Sequence, residues 1–191
     1  SAACTAAQGT CVTTRPAAPC MAAATLCQAA VGDGLSLDAY AARLLQDPGF
    51  QADTAVAEAA LAGLRQLIET APLDPAFGAL LDAEIQRRWG TSPIKLRSST
   101  NAEDLPNFSG AGLYTSYGAT LGHATKPPQV QIRKTWASVW NFAAWQERAF
   151  WNIDHLAVVM GVAVHPSFPD ENCNGVANEG QSGTRNGSRM S

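Results

Sequence analysis

The residues best placed for chemistry lie together between Leu96 and Tyr117, in the run LRSSTNAEDLPNFSGAGLYTSY. Arg97 stands at the end of a short apolar run, Pro93-Ile94-Lys95-Leu96, that reads as the close of a buried strand. Hydroxyls follow at Ser98, Ser99 and Thr100, then carboxylates at Glu103 and Asp104, a turn at Pro106-Asn107, and the small-residue loop Ser109-Gly110-Ala111-Gly112. A guanidinium offers phosphate oxygens a planar, permanently charged fork. Small residues let backbone N–H groups approach the same oxygens. The chemistry indicated is phosphate handling, with Arg97 as the clamp and Ser109 to Gly112 as the loop over the phosphates. Ser98, Ser99, Glu103 and Asp104 would shape that loop. The same residues also fit a plain structural role, in which Arg97 pairs with Glu103 or Asp104 and SGAG is an ordinary turn.

The segments before this run must hold it in place, and their pattern is helical. Ser36 is positioned to cap a helix carrying Tyr40, Leu44 and Leu45, ending at Asp47-Pro48-Gly49. Asp53 caps a second, with Val56, Ala60, Leu64, Leu67 and Ile68 on one face. Asp74-Pro75 opens a third, which buries Phe77, Leu80, Leu81, Ile85 and Trp89 and stops at Gly90. These stripes are core, backing the strand that delivers Arg97.

After the run, Tyr114–Leu121 is expected as a strand, Gly122–Pro128 as a loop holding a solvated His123, and Gln129–Ile153 as one long helix. Four of the five tryptophans fall between 136 and 151. Stacking on bases is one use for them, but helical spacing without interleaved basic residues favours core packing. Ala157–His165 is a near-continuous apolar run that suits a central strand covered on both faces. Asp154 and His155 could form an acid/base pair, yet their place ahead of this strand favours structural capping.

The chain has 191 residues, enough for one good core, and a net charge of −3 with a pI near 5.5. That balance offers no electrostatic reason to expect nucleic acid or an anionic membrane. No apolar run approaches a membrane span, and no secretory h-region is expected. Residues 1–34 are Ala-rich and hold Cys4, Cys11, Cys20 and Cys27, separated by six, eight and six residues. Those spacings do not match zinc knuckles. Two disulfides in an oxidising compartment, with Cys173 left over, and small buried thiols both remain open. Residues 178–191 are polar and read as a disordered tail.

RSSTNAEDLPNFSGAGLY resembles the signature of the nucleotide-binding domain shared by pyruvate phosphate dikinase, phosphoenolpyruvate synthase and glucan, water dikinase. That signature reads R-S-S-x-x-x-E-D-L, a spacer, then A-G; the AGLY ending is closest to the glucan-dikinase version. KTWASVW, the Asp154-His155 pair and the M-x-V-x-V pattern from Met160 also resemble the family, so that the likeness spans residues 93–177, with weaker agreement before it. The resemblance implies an α/β fold: the N-terminal lobe of a dikinase-type ATP-grasp domain over residues 35–177, incomplete and ending near its hinge. It implies ATP and Mg2+ as cofactors, Arg97 as the catalytic phosphate clamp, and His165 to Ser167 along the adenine. His165 stands where the family commonly has glutamine.

The same resemblance sets limits. The family's phosphate-reaching lysine, in a G-G-K segment near the N-terminus, has no counterpart, since the first lysine here is Lys95. The metal-binding acids belong to a second lobe beyond a G-V-A-x-T-R-N-P segment, from which this chain departs after Ala177. Neither His155 nor His165 inherits the family's phosphoryl-carrying histidine, which lies in a separate domain. The expected activity is ATP-dependent phosphorylation of a histidine relay, and the expected partners are nucleotide and either a phosphohistidine domain or the second lobe. The competing classes are a nucleotide-binding or pseudo-kinase module without turnover, and a cysteine-stapled extracytoplasmic interaction domain.

Overall fold

The computed structural model describes residues 10–13, 36–102, 104–105 and 108–168, with backbone alone for 10–13, 104–105 and 108–109. Cys4, Cys20, Cys27 and Cys173, the thiol of Cys11, Glu103, Pro106-Asn107, the side chains of Asp104 and Ser109, and the tail 178–191 lie outside the described residues.

Each expected cap starts its helix. The Ser36 hydroxyl accepts from Ala39 N at the head of α1 (Leu37–Leu45). Asp47-Pro48-Gly49 is more than a break: Asp47 accepts from Phe50 N and opens a short helix, α2 (Pro48–Ala52), with proline in its first turn. Asp53 accepts from Ala55 N and Val56 N to start α3 (Thr54–Thr70), and Asp74 accepts from Phe77 N to start α4 (Pro75–Trp89). Gly90 ends α4 with a positive φ of 60°.

The buried faces are narrower than the apolar stripes. Ala57, Leu61, Leu64 and Ile68 turn inward on α3, while Val56 is 45% exposed; Leu81 and Ile85 are buried on α4, while Leu80 is 67% exposed. One residue's rotation carries Val56 and Leu80 off the inward faces set by Ala57 and Leu81.

Among the described residues the sheet has four strands in the order β1-β6-β2-β5, all antiparallel: β1 (Thr10–Thr13), β2 (Ile94–Thr100), β5 (Tyr117–Ala119) and β6 (Met160–Pro166). A two-residue ribbon, β3 (Asp104–Leu105) with β4 (Phe108–Ser109), stands apart from it. Arg97 is therefore mid-strand, because β2 continues through Ser98, Ser99 and Thr100 in register with β6. The strand after Tyr114 is shorter than expected, confined to β5. β6 is interior in the strand order as expected, but only its Met160, Val162 and Val164 face packs on a helix, so it is not covered on both faces among the described residues.

The strand period sorts the sheet into two faces. Ile94 and Leu96 on β2 and Met160, Val162 and Val164 on β6 are buried against α5 (Pro128–Ala137), which packs in turn on α3 and α4. The opposite face presents Lys95, Arg97 and Ser99 from β2 beside Gly161, Ala163 and His165 from β6, with Arg97 and Ser99 exposed.

The long helix expected over 129–153 is interrupted. α5 ends at Ala137, a 3-10 turn covers Ser138–Trp140, Asn141 is extended (φ −58°, ψ 138°), and α6 (Phe142–Phe150) begins afresh. Carbonyls freed at the break find side-chain donors: Arg65 Nη1 reaches Trp140 O at 2.9 Å, and Arg148 Nη2 reaches Val139 O at 2.8 Å. Trp136 and Trp140 are buried, as the core-packing expectation required, and Trp145 packs edge-on against Phe50, but Trp151 at the end of α6 is 44% exposed and so is not part of the core. Asp154 caps the 3-10 turn His155–Ala157 by accepting from Leu156 N, and His123 lies exposed in its loop.

Candidate functional site on the open sheet face

Two of the residues singled out for phosphate and base contacts meet directly. Arg97 Nε donates to His165 Nε2 at 2.8 Å, and His165 Nδ1 lies 2.7 Å from Pro166 O. Because the Arg97 Nε–H donates, Nε2 is the acceptor, which leaves Nδ1 to face the Pro166 carbonyl. The register explains the meeting. Arg97 pairs with Ala163 and Lys95 with His165, so Arg97 and His165 are diagonal neighbours on one face. With both ring nitrogens engaged, a bond from His165 to a base requires exchange of one of these partners. Among the described residues, no carboxylate forms an ion pair with Arg97, and its hydrogen bond runs to His165 rather than to the glycine turn.

The SGAG segment ends in a tight turn. Leu113 N donates to Gly110 O at 3.1 Å, and Gly112 takes a left-handed φ of 82° at the third position. That φ is the mark of a type II turn, which glycine enters without penalty. Gly110 is buried while Ala111 and Gly112 are exposed.

Two sets of bonds hold the chain after the turn. Ser116 Oγ accepts from Ser98 N at 3.0 Å and lies 3.2 Å from Ser98 Oγ, tying the loop to the residue next to Arg97. Asn141, extended at the helix break, donates Nδ2 to Leu113 O and Thr115 Oγ1 at 3.0 and 3.1 Å. Ser167 continues the β2–β6 ladder past Pro166, with its N–H on Pro93 O at 2.9 Å.

Arg148 is a part of this machinery that patterning missed. Its side chain is fully buried, and its contacts are Val139 O, the Tyr114 hydroxyl at 3.4 Å, His155 Nδ1 at 3.2 Å and the Trp140 ring at 5.9 Å. Burial lowers its pKa from the usual arginine value, against the pull of the Tyr114 bond. Burial first, then the charge of Arg148, pushes His155 down to about 4. A spacing signal existed: Arg148 follows buried Ala144 by four residues and so shares its inward face. Residue type alone points an arginine to solvent.

Among the described residues, no group of three or more His, Cys, Asp or Glu side chains could hold a metal ion, and no helix is long and apolar enough to cross a membrane.

The structure is an α/β body with an exposed arginine on the open face of its sheet, and sequence comparison gives its family. Residues 24–184 match the pyruvate phosphate dikinase AMP/ATP-binding domain, and the chain belongs to that family. A rifampicin phosphotransferase from Streptomyces is 34% identical over 103 residues, which make up 54% of this chain and 12% of that protein. A probable phosphoenolpyruvate synthase from Pyrococcus horikoshii is 34% identical over 90 residues, 46% of this chain and 11% of its own length. The phosphoenolpyruvate synthase of Aeropyrum pernix is 32% identical over 108 residues, 53% of this chain and 13% of its own length. The chain thus spans only about an eighth of these relatives.

Proposed function

We propose that the nucleotide lies on the open sheet face of what is the N-terminal lobe of an ATP-grasp domain. Arg97 clamps the phosphates, Ser109, Gly110, Ala111 and Gly112 form the loop above them, and His165 and Ser167 edge the nucleobase. The observation that carries this reading is the setting of Arg97: exposed, aimed by His165, and without an ion-pair partner among the described residues. An arginine held at a fixed angle has already surrendered part of the rotamer freedom that phosphate binding would cost it. His165 then acts chiefly by orienting Arg97.

Phosphoryl transfer depends on positioning and charge neutralisation. This chain's share is to bind and orient the nucleotide and to neutralise phosphate charge. The described residues supply no magnesium cluster, so Mg2+ would be held by groups outside them, as in a second lobe. The whole protein would pass the phosphoryl group through a phosphohistidine domain to pyruvate, water or a glucan, by analogy with its family.

A thermal melt with a non-hydrolysable ATP analogue tests the reading. Ligand at a hundredfold excess over Kd adds about 2.7 kcal/mol to the stability of a native state that binds it. A rise in Tm that grows with analogue concentration is expected, and a Tm indifferent to the analogue contradicts the proposal.

A further inference from the structure

The open face carries a second cation that the phosphate reading leaves unused. Lys95 is half-buried, lies on the same face as Arg97, and its side chain has neither a hydrogen bond nor a carboxylate partner among the described residues. Its cross-strand neighbours are His165 on β6, already engaged by Arg97, and Gly118 on β5. A Cβ added at Gly118 would meet nothing nearer than Ile94 O at 3.9 Å, so the strand face beside the Lys95 backbone is unfilled at that position. Two cations on one strand face repel each other, and an anion between them would remove that cost.

We infer that Lys95 binds the phosphate nearest the nucleoside, while Arg97 takes the distal phosphates. This rests on the nucleotide-face reading above, and the ladder supplies the direction. Ser167 is bonded to Pro93, so the proposed nucleobase edge lies at the Ile94 end of β2. Along the β2 backbone from that edge, Lys95 comes first and Arg97 two residues later, with Cα atoms roughly 7 Å apart, while the Arg97 side chain leans back onto His165, the residue opposite Lys95. A nucleotide with its base at Ser167 meets Lys95 with its first phosphate and Arg97 with its last.

Equilibrium titration of AMP, ADP and ATP into the wild-type chain, Lys95→Met, Lys95→Arg and Arg97→Met tests the assignment, with urea melts confirming that each variant folds. Lys95→Met is expected to weaken AMP and ATP by the same factor, about tenfold for a charge-assisted phosphate contact. Lys95→Arg keeps most of both affinities, and Arg97→Met weakens ATP much more than AMP. An AMP affinity unchanged in Lys95→Met overturns the inference about Lys95, and if Arg97→Met still weakens ATP the nucleotide face itself survives. An ATP affinity unchanged in Arg97→Met overturns that face, and Lys95 with it.

Discussion

A guanidinium buried with no acid partner in contact, as Arg148 is among the described residues, is expensive, because charge leaves water without a full Coulombic return. Arg148 offsets the expense with a carbonyl, a hydroxyl, an imidazole nitrogen and an indole face. Two effects oppose each other in Arg148→Met. Removing the charge relieves desolvation, but it orphans Val139 O inside the helix break. The orphaned carbonyl should win, because the break has no other donor for it among the described residues. A loss of about 1–3 kcal/mol in urea unfolding is expected; equal or greater stability would show that the charge costs more than its bonds return. His155 titrates at about 4 in the fold against 6.5 ordinarily. As pH falls from 6.5 toward 4 the unfolded chain takes up this proton first, so the contribution is whole above 6.5 and drains away below it. Unfolding measured across that range should be less pH-dependent in His155→Asn than in the wild type.

At the scale of elements, the break between α5 and α6 does what a continuous helix could not. It frees Asn141 to reach across to Leu113 and Thr115, and so steadies the chain leaving the glycine turn. Asn141→Ala should cost about 1–2 kcal/mol and speed amide exchange at Leu113–Ser116, while amides on the face of α3 that packs in the core keep their protection. Uniform acceleration across both would mean that Asn141 is only a global prop. Helix starts were plain in the chain because caps are local: Ser36, Asp53 and Asp74 each bond their own first turn. The break was hidden because its causes are distant in sequence, with Arg65 lying 75 residues from Trp140. Val56 and Leu80 misled for a related reason, since apolar type says nothing about which degree of the helical turn meets a neighbour. The Arg97–His165 bond, 68 residues apart, needed the β2–β6 register, which a strand pattern alone does not specify.

Taken as a whole, the molecule is a small antiparallel sheet with one oily face on α5 and one polar face bearing Lys95, Arg97 and His165. Its membership of the AMP/ATP-binding family makes nucleotide the ligand to test on that face. The most direct measurement is titration of a non-hydrolysable ATP analogue into the wild-type chain beside Arg97→Ala. Loss of one charge-assisted phosphate contact should weaken binding by about 1.5–3 kcal/mol, roughly ten- to a hundredfold or more. Equal affinity in the two proteins, with both folded, would contradict the account.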